Sequence, residues 1–151
     1  MINTLKWLIL LGLSMLFISC TSESQEDIDE RLILEYLEDN AIQAVRTESG
    51  LYYKITGEGT GDPPELNDYV TVHYEGKLLD GTVFDSSYGG TAVTFGLWEV
   101  IYGWQEGLQL MHTGEEALFI IPSHLGYGSS VVSGIPPNSV LVFNVELLEI
   151  N

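Results

Sequence analysis

Three histidines, one cysteine and 22 carboxylates are the side chains of this chain suited to metal, nucleophilic or acid–base chemistry. His73, His112 and His124 show no ligand spacing, so they read as surface or strand-edge histidines. Cys20 stands alone, which removes intrachain disulfides and cysteine-based zinc clusters. No Gly-x-Ser-x-Gly elbow occurs, which argues against a serine hydrolase. Glu115 and Glu116 are adjacent, so on a strand or turn they point opposite ways and cannot flank one bond. Gly57, Gly59 and Gly61 have the density of a phosphate cradle, but no helix follows and no Lys-Ser/Thr closes the motif. Asp27, Asp29 and Glu38 mimic a calcium loop, yet Leu32 replaces its glycine and Arg31 takes a ligand position, which discounts it. An aromatic set remains. By spacing alone Phe84, Trp104 and Phe143 read as core, Asp85 as a turn acid and Tyr127 as a loop aromatic between two glycines.

The charge balance narrows the partners. Five Lys+Arg face 22 Asp+Glu, a net charge of -17 over 151 residues. A nucleic-acid reader needs cations to neutralise phosphates, so nucleic acid is excluded as a direct partner. A hydrophobic content of 45% supports a packed core, and the length allows one domain with an appendage.

The appendage is N-terminal. Lys6 precedes an apolar run at 7–18, too short to span a bilayer and of the length of a secretory signal. The run ends in Phe17-Ile18-Ser19-Cys20, which resembles a bacterial lipobox, with Phe17 in place of the usual leucine. Residues 1–19 are expected to form a lipoprotein signal peptide, and Cys20 the lipidated new N-terminus. Several acyl chains give a stable anchor where one does not. Thr21 lacks the aspartate that marks inner-membrane retention in some bacterial lipoproteins, so the expected location is the cell envelope, lipid-anchored at the outer membrane. Residues 20–49 read as an acidic tether and a short helical neck. Ile28, Leu32 and Tyr36, with Ile33 and Leu37 beside them, lie at helical spacing, and Asn40 is placed to end the helix. A solvated neck with one apolar stripe is the expectation; a dimerisation surface stays open.

From 50 to 151 the texture changes to short alternating runs split by glycines, which means antiparallel strands. Strands are expected at 51–55, around Val70, Val72 and Tyr74, at 117–121 before Pro122, and through Leu141, Phe143, Val145 and Leu147. Asp80-Gly81 signals a hairpin, and the two prolines in 57–64 a loop. Ile101, Trp104, Leu108 and Met111 predict one short helix, with Gly114 as its terminator. A sheet and one helix burying their apolar faces together make an α+β fold.

Against this background, residues 70–150 resemble the FKBP-type peptidyl-prolyl cis-trans isomerases. The resemblance is carried by Val72-His73-Tyr74-Glu75-Gly76, Asp80-Gly81-Thr82-Val83-Phe84-Asp85-Ser86-Ser87, Val100-Ile101-Tyr102-Gly103-Trp104, Ile120-Ile121-Pro122, Gly126-Tyr127-Gly128, Ile135-Pro136-Pro137-Asn138-Ser139 and Leu141-Val142-Phe143-Asn144-Val145-Glu146-Leu147. It implies an antiparallel β half-barrel wrapped around one short helix. It also implies a pocket of Tyr74, Phe84, Asp85, Val100, Ile101, Trp104, Tyr127, Ile135 and Phe143, with the proline ring over the Trp104 indole. The Ile101 N–H and the Tyr127 hydroxyl would hold the peptide backbone. Proline-containing polypeptides are the implied substrates, exported proteins in particular, and macrolides the implied inhibitors; no cofactor or metal is called for. The chain departs from the family pattern at three places. Val93 stands where a pocket aromatic is expected, the loop at 129–134 has Val131-Val132 and no proline, and Tyr102 replaces a common Pro or Arg. An isomerase is therefore expected, with a non-catalytic chaperone or peptide-binding module on the same fold as the alternative.

Overall fold

The computed structural model describes residues 22–151. The lipobox, Cys20 and Thr21 lie outside the described residues. Helix α1 (Gln25–Asp39) starts where the sequence can cap it. Ser24 Oγ accepts the Asp27 N–H at 3.2 Å, and the Asp27 carboxylate accepts the Ser24 N–H in return, satisfying donors that the first turn leaves free. Asn40 closes the helix, its N–H donating to the Tyr36 carbonyl at 3.1 Å.

The strands follow: β1 (Val45–Arg46), β2 (Tyr52–Thr56), β3 (Tyr69–Leu78), β4 (Val83–Ser86) and β5 (Val93–Gly96), then helix α2 (Tyr102–Leu108), β6 (Glu116–Ile121) and β7 (Leu141–Ile150). All pairings are antiparallel, in the order β1-β2-β6-β7-β3-β4, with β5 also on β3. The long central strand β3 takes β7 along one edge. On its other edge it takes β5 at Tyr69–Val72 and β4 from Glu75. The turn between β3 and β4 falls at Asp80-Gly81, where Gly81 has φ +88° and Thr82 N–H donates to Asp80 Oδ1 at 2.9 Å. This is the α+β half-barrel around a short helix, with a helix N-terminal to it.

Alternation along the strands sends Val70, Val72, Phe119, Ile121, Leu141, Phe143, Val145 and Leu147 to the concave face, where they bury Trp104 and Leu108 of α2. The helix lies close to β6 because two of its positions lack side chains. A Cβ at Gly103 would stand 2.5 Å from Ile121, and one at Gly107 would stand 2.8 Å from Phe119. The helix is shorter than the apolar spacing predicts. It stops at Leu108, and Met111 is buried beyond it in a turn whose N–H bonds to the Leu108 carbonyl. Gly114, at φ +95°, leads into β6 and does not cap α2.

The opposite face of the sheet corrects the expectation of a solvated neck. Tyr52, Ile120 and Val142 are register partners across three strands, and all three are apolar and buried on that face. Ile33 and Leu37 of α1 pack against them with Tyr36 beside, so the helix is docked through this part of the predicted face, and Asp29, not Ile28 or Leu32, completes its buried row. A row of apolar side chains with no cover would lie in water, and the helix rotates to the stripe that covers it. The sheet also starts earlier than the predicted first strand, because Val45–Arg46 already pairs with β2. Of the histidines expected at the surface or at strand edges, His124 is exposed, while His73 and His112 are part-buried. His73 lies on the central strand, its Nδ1 3.0 Å from Ser87 Oγ and its ring stacked on Tyr88.

Candidate functional site

Between the concave face and α2 opens a cleft of about 250 Å³. Its floor is Trp104, which α2 presents with only 5% of its surface exposed. Three rings surround the indole: Tyr74 at 5.2 Å and 87°, Phe143 at 5.2 Å and 85°, and Phe95 at 5.5 Å and 54°. Phe84 stands edge-on to Phe143 at 5.5 Å. Aromatic edges set against faces in this way fix a rigid, apolar wall. The wall depends on Gly76 of β3, where a Cβ would come within 2.6 Å of both Phe143 and Phe84. The Trp104 Nε1 is buried without a hydrogen-bond partner.

The polar groups are few. The Tyr74 hydroxyl donates to Asp85 Oδ2 at 2.5 Å, and Asp85 Oδ1 accepts the Ser86 N–H at 2.9 Å. Burial, and then the hydrogen bond to Asp85, push the Tyr74 hydroxyl up to about 12. Burial also raises Tyr127, with the Asp85 charge as the second cause. The chain just beyond Asp85 is pinned to β3 by Ser87, whose Oγ accepts the Tyr74 N–H at 2.8 Å and whose own N–H donates to the Tyr74 carbonyl at 2.9 Å.

Val100 and Ile101 enter the cleft from the segment before α2, which Gln105 steadies by donating to the Val100 carbonyl at 2.8 Å. The Ile101 carbonyl accepts from Trp104 and Gln105, whereas the Ile101 N–H makes no hydrogen bond among the described residues. Tyr127 arrives on the far side, carried by a loop in which Gly128 has φ +55° and donates to the Ser123 carbonyl at 2.8 Å.

The structure thus brings together Tyr74, Phe84, Asp85, Val100, Ile101, Trp104, Tyr127 and Phe143 around one cleft. Ile135 does not line it; this residue is buried in the core that supports the walls. Phe95 and Glu99 line the cleft without having been singled out by sequence, and Val93 lines it beside Phe95. The aromatic expected near Val93 is Phe95, two residues on and so on the same face of β5. Of the departing residues, Val131 is 85% exposed, Val132 packs on the core and Tyr102 is exposed next to Ile101.

A family model described as FKBP-type peptidyl-prolyl cis-trans isomerase matches residues 61–148. The chain is 51% identical over 119 residues to the FKBP-type peptidyl-prolyl cis-trans isomerase FkpA of Aeromonas hydrophila, covering 77% of this chain and 44% of that one. It is 46% identical over 110 residues to FkpA of Escherichia coli strain K12, covering 72% of this chain and 41% of that protein. It therefore spans less than half the length of these two relatives. The crystal structure of FkpA from Escherichia coli superposes with a TM-score of 0.75 at 42% identity, over 82% of this chain and 60% of that one. A peptidyl-prolyl cis-trans isomerase from Pseudomonas syringae superposes with a TM-score of 0.71 at 29% identity, over 87% of this chain and 99% of that one.

Proposed function

The chain belongs to the family of FKBP-type peptidyl-prolyl cis-trans isomerases, and from that premise we propose that it catalyses X–Pro isomerisation in polypeptides. One observation carries the reading. The aromatic floor and walls around Trp104 share a cleft with an uncommitted backbone donor, the Ile101 N–H. Rotation about an X–Pro bond breaks amide resonance against a barrier of ~18–20 kcal/mol. The planar amide is charge-separated, and the twisted form is less so. An apolar cleft therefore disfavours the planar form relative to the twisted one, while donors that grip the flanking backbone hold the twist. No nucleophile is required, and the cleft-lining side chains present a set suited to binding, not to covalent chemistry. Each ~1.36 kcal/mol of differential stabilisation is about tenfold in rate, so a few such contacts suffice.

The test is magnetisation exchange between cis and trans forms of a short X–Pro peptide with the full chain present. Trp104→Ala and Asp85→Val are expected to lower the catalysed rate by about tenfold or more, the loss of one such increment. A folded wild-type chain that leaves exchange at its uncatalysed rate, yet still suppresses aggregation of an unfolded protein, would replace the isomerase with the chaperone alternative.

We infer further that the chain works on exported proteins from a lipid anchor at Cys20, at the outer membrane. The support is positional: the only cysteine follows the apolar run and a small residue, and Thr21 comes next. Metabolic labelling with palmitate is expected to mark the wild type and not Cys20→Ala, and the variant is expected to leave the membrane fraction. Equal labelling of both would remove the anchor.

A further inference from the structure

Among the described residues the cleft is lined by two carboxylates, Asp85 and Glu99, and by no cation. Asp85 accepts only from neutral donors, the Tyr74 hydroxyl and the Ser86 N–H. Glu99 accepts the Gly96 N–H at 2.9 Å. Neither belongs to an ion pair among the described residues, where the pairs are Arg31–Glu23, Arg46–Glu30 and His112–Glu115. Arg31 lies on α1, Arg46 on β1, Lys54 on β2 and Lys77 on β3, and none of them lines the cleft. Hydrogen bonds from neutral groups bring no positive charge to set against a carboxylate. The Asp85 charge is felt across the opening, since it helps raise the hydroxyls of both Tyr74 and Tyr127. A cleft with low-dielectric walls and charge of one sign concentrates its field on whatever enters. Here the two acids line the same cleft as the apolar surface that the isomerase reading assigns to the proline.

We propose that this cleft selects cationic X–Pro segments, those with Lys or Arg next to the proline, and discriminates against segments with Asp or Glu there. The inference rests on the isomerase reading for the identity of the bound segment, and it names the substrate class within that reading. Glu99 becomes a specificity-determining residue, distinct from the aromatic floor. Its side chain lines the cleft, and glutamine in its place keeps the acceptor for the Gly96 N–H while removing the charge.

Three peptides that differ only in having Lys, Gln or Glu after the proline separate the possibilities, with the full chain as the protein. Binding is read by calorimetry and isomerisation by exchange. At low salt the Lys peptide is expected to bind about three- to tenfold tighter than the Glu peptide, with Gln between. At 1 M NaCl, where the Debye length is ~3 Å, the contrast is expected to shrink towards unity. Glu99→Gln is expected to shrink it about twofold at low salt, the share of one of two charges. Equal binding of the three peptides at low salt overturns the proposal, and so does a Lys preference that persists unchanged at 1 M NaCl. If binding shows the contrast while no peptide is isomerised, the charge selection stands and the catalytic reading falls.

Discussion

The surrounding rings and the bond to Asp85 hold the Tyr74 hydroxyl in the protonated state. The phenol is half-buried among aromatic rings and donates to a carboxylate, and both circumstances oppose its ionisation. A group whose folded-state value is raised, here from 10.0 to about 12, contributes stability that is complete below its unfolded value. That contribution is lost as pH climbs from 10 through 12. Tyr52, raised to about 12 by burial and by its bond to Glu30, adds to the same alkaline loss. The denaturation midpoint should therefore be flat near neutrality on account of these groups and fall above pH 10, with a shallower fall in Tyr74→Phe. Phenolate absorbance checks the cause directly, since Asp85→Asn should move the Tyr74 titration back towards the ordinary tyrosine range. At this scale the sequence was legible only where a motif supplied the context. Phe84, Trp104 and Phe143 are core residues by type, and what makes them a site is that four strands and a helix leave a gap between them. Phe95 was missed because it belongs to a short strand whose register on β3 is set by hydrogen bonds, not by composition. Ser87 was missed for a similar reason: its hydroxyl looks like turn chemistry until the Tyr74 N–H is found on it.

Helix α1 is tied to the domain by a charge as well as by an apolar stripe. Asp29 is 1% exposed; its Oδ2 accepts the Ser123 N–H at 2.7 Å and its Oδ1 the Gln25 side-chain amide at 2.7 Å. The Ser123 end of this bond begins the turn that leads to Gly126 and Tyr127, so the helix braces the loop on the far side of the cleft. Asp29→Ala would leave a buried N–H without a partner and is expected to destabilise the chain by ~1.5–3 kcal/mol, the worth of a hydrogen bond to a charged group. Urea denaturation of the full chain measures it. An unchanged midpoint would mean that the helix is not held through this carboxylate. Here lies the difference between the existence of an element and its seating. The stop at Asn40 and the helical spacing before it were legible; the cap at Ser24 was not, because 21–25 reads as a polar tether until the Asp27 N–H is found on the Ser24 hydroxyl. The buried face was legible only in Ile33 and Leu37, because it also contains an aspartate, and because its receptor is assembled from Tyr52, Ile120 and Val142, which meet only once three strands are in register. Those three residues did hold a signal. Each puts an apolar side chain on the face of its strand that faces away from α2, which is the mark of a sheet covered on both sides.

Charge is a property of the whole molecule, and it acts in two directions at once. Residues 51–151 hold thirteen acids against Lys54 and Lys77, and 20–50 hold nine against Arg31 and Arg46. Some of the acids are forced together by the fold. Glu116 and Glu146 are direct partners across β6 and β7, an arrangement in which like charges oppose pairing. The compensating ion pairs between Arg and Glu among the described residues are exposed, so they contribute little. Repulsion should therefore outweigh attraction in the folded state, and screening should relieve it. Raising NaCl from 10 mM to 0.5 M is expected to raise the urea midpoint of the full chain. A midpoint that falls would mean that the few ion pairs outweigh the repulsion. The same salt that stabilises the fold is expected to erase the preference of the cleft for cationic segments. Stability and selectivity should then run in opposite senses along one salt series, a pairing that a general salting-out effect would not produce. Potassium fluoride and potassium chloride at equal ionic strength distinguish the two causes: screening predicts matched curves, and salting-out predicts a steeper rise in fluoride.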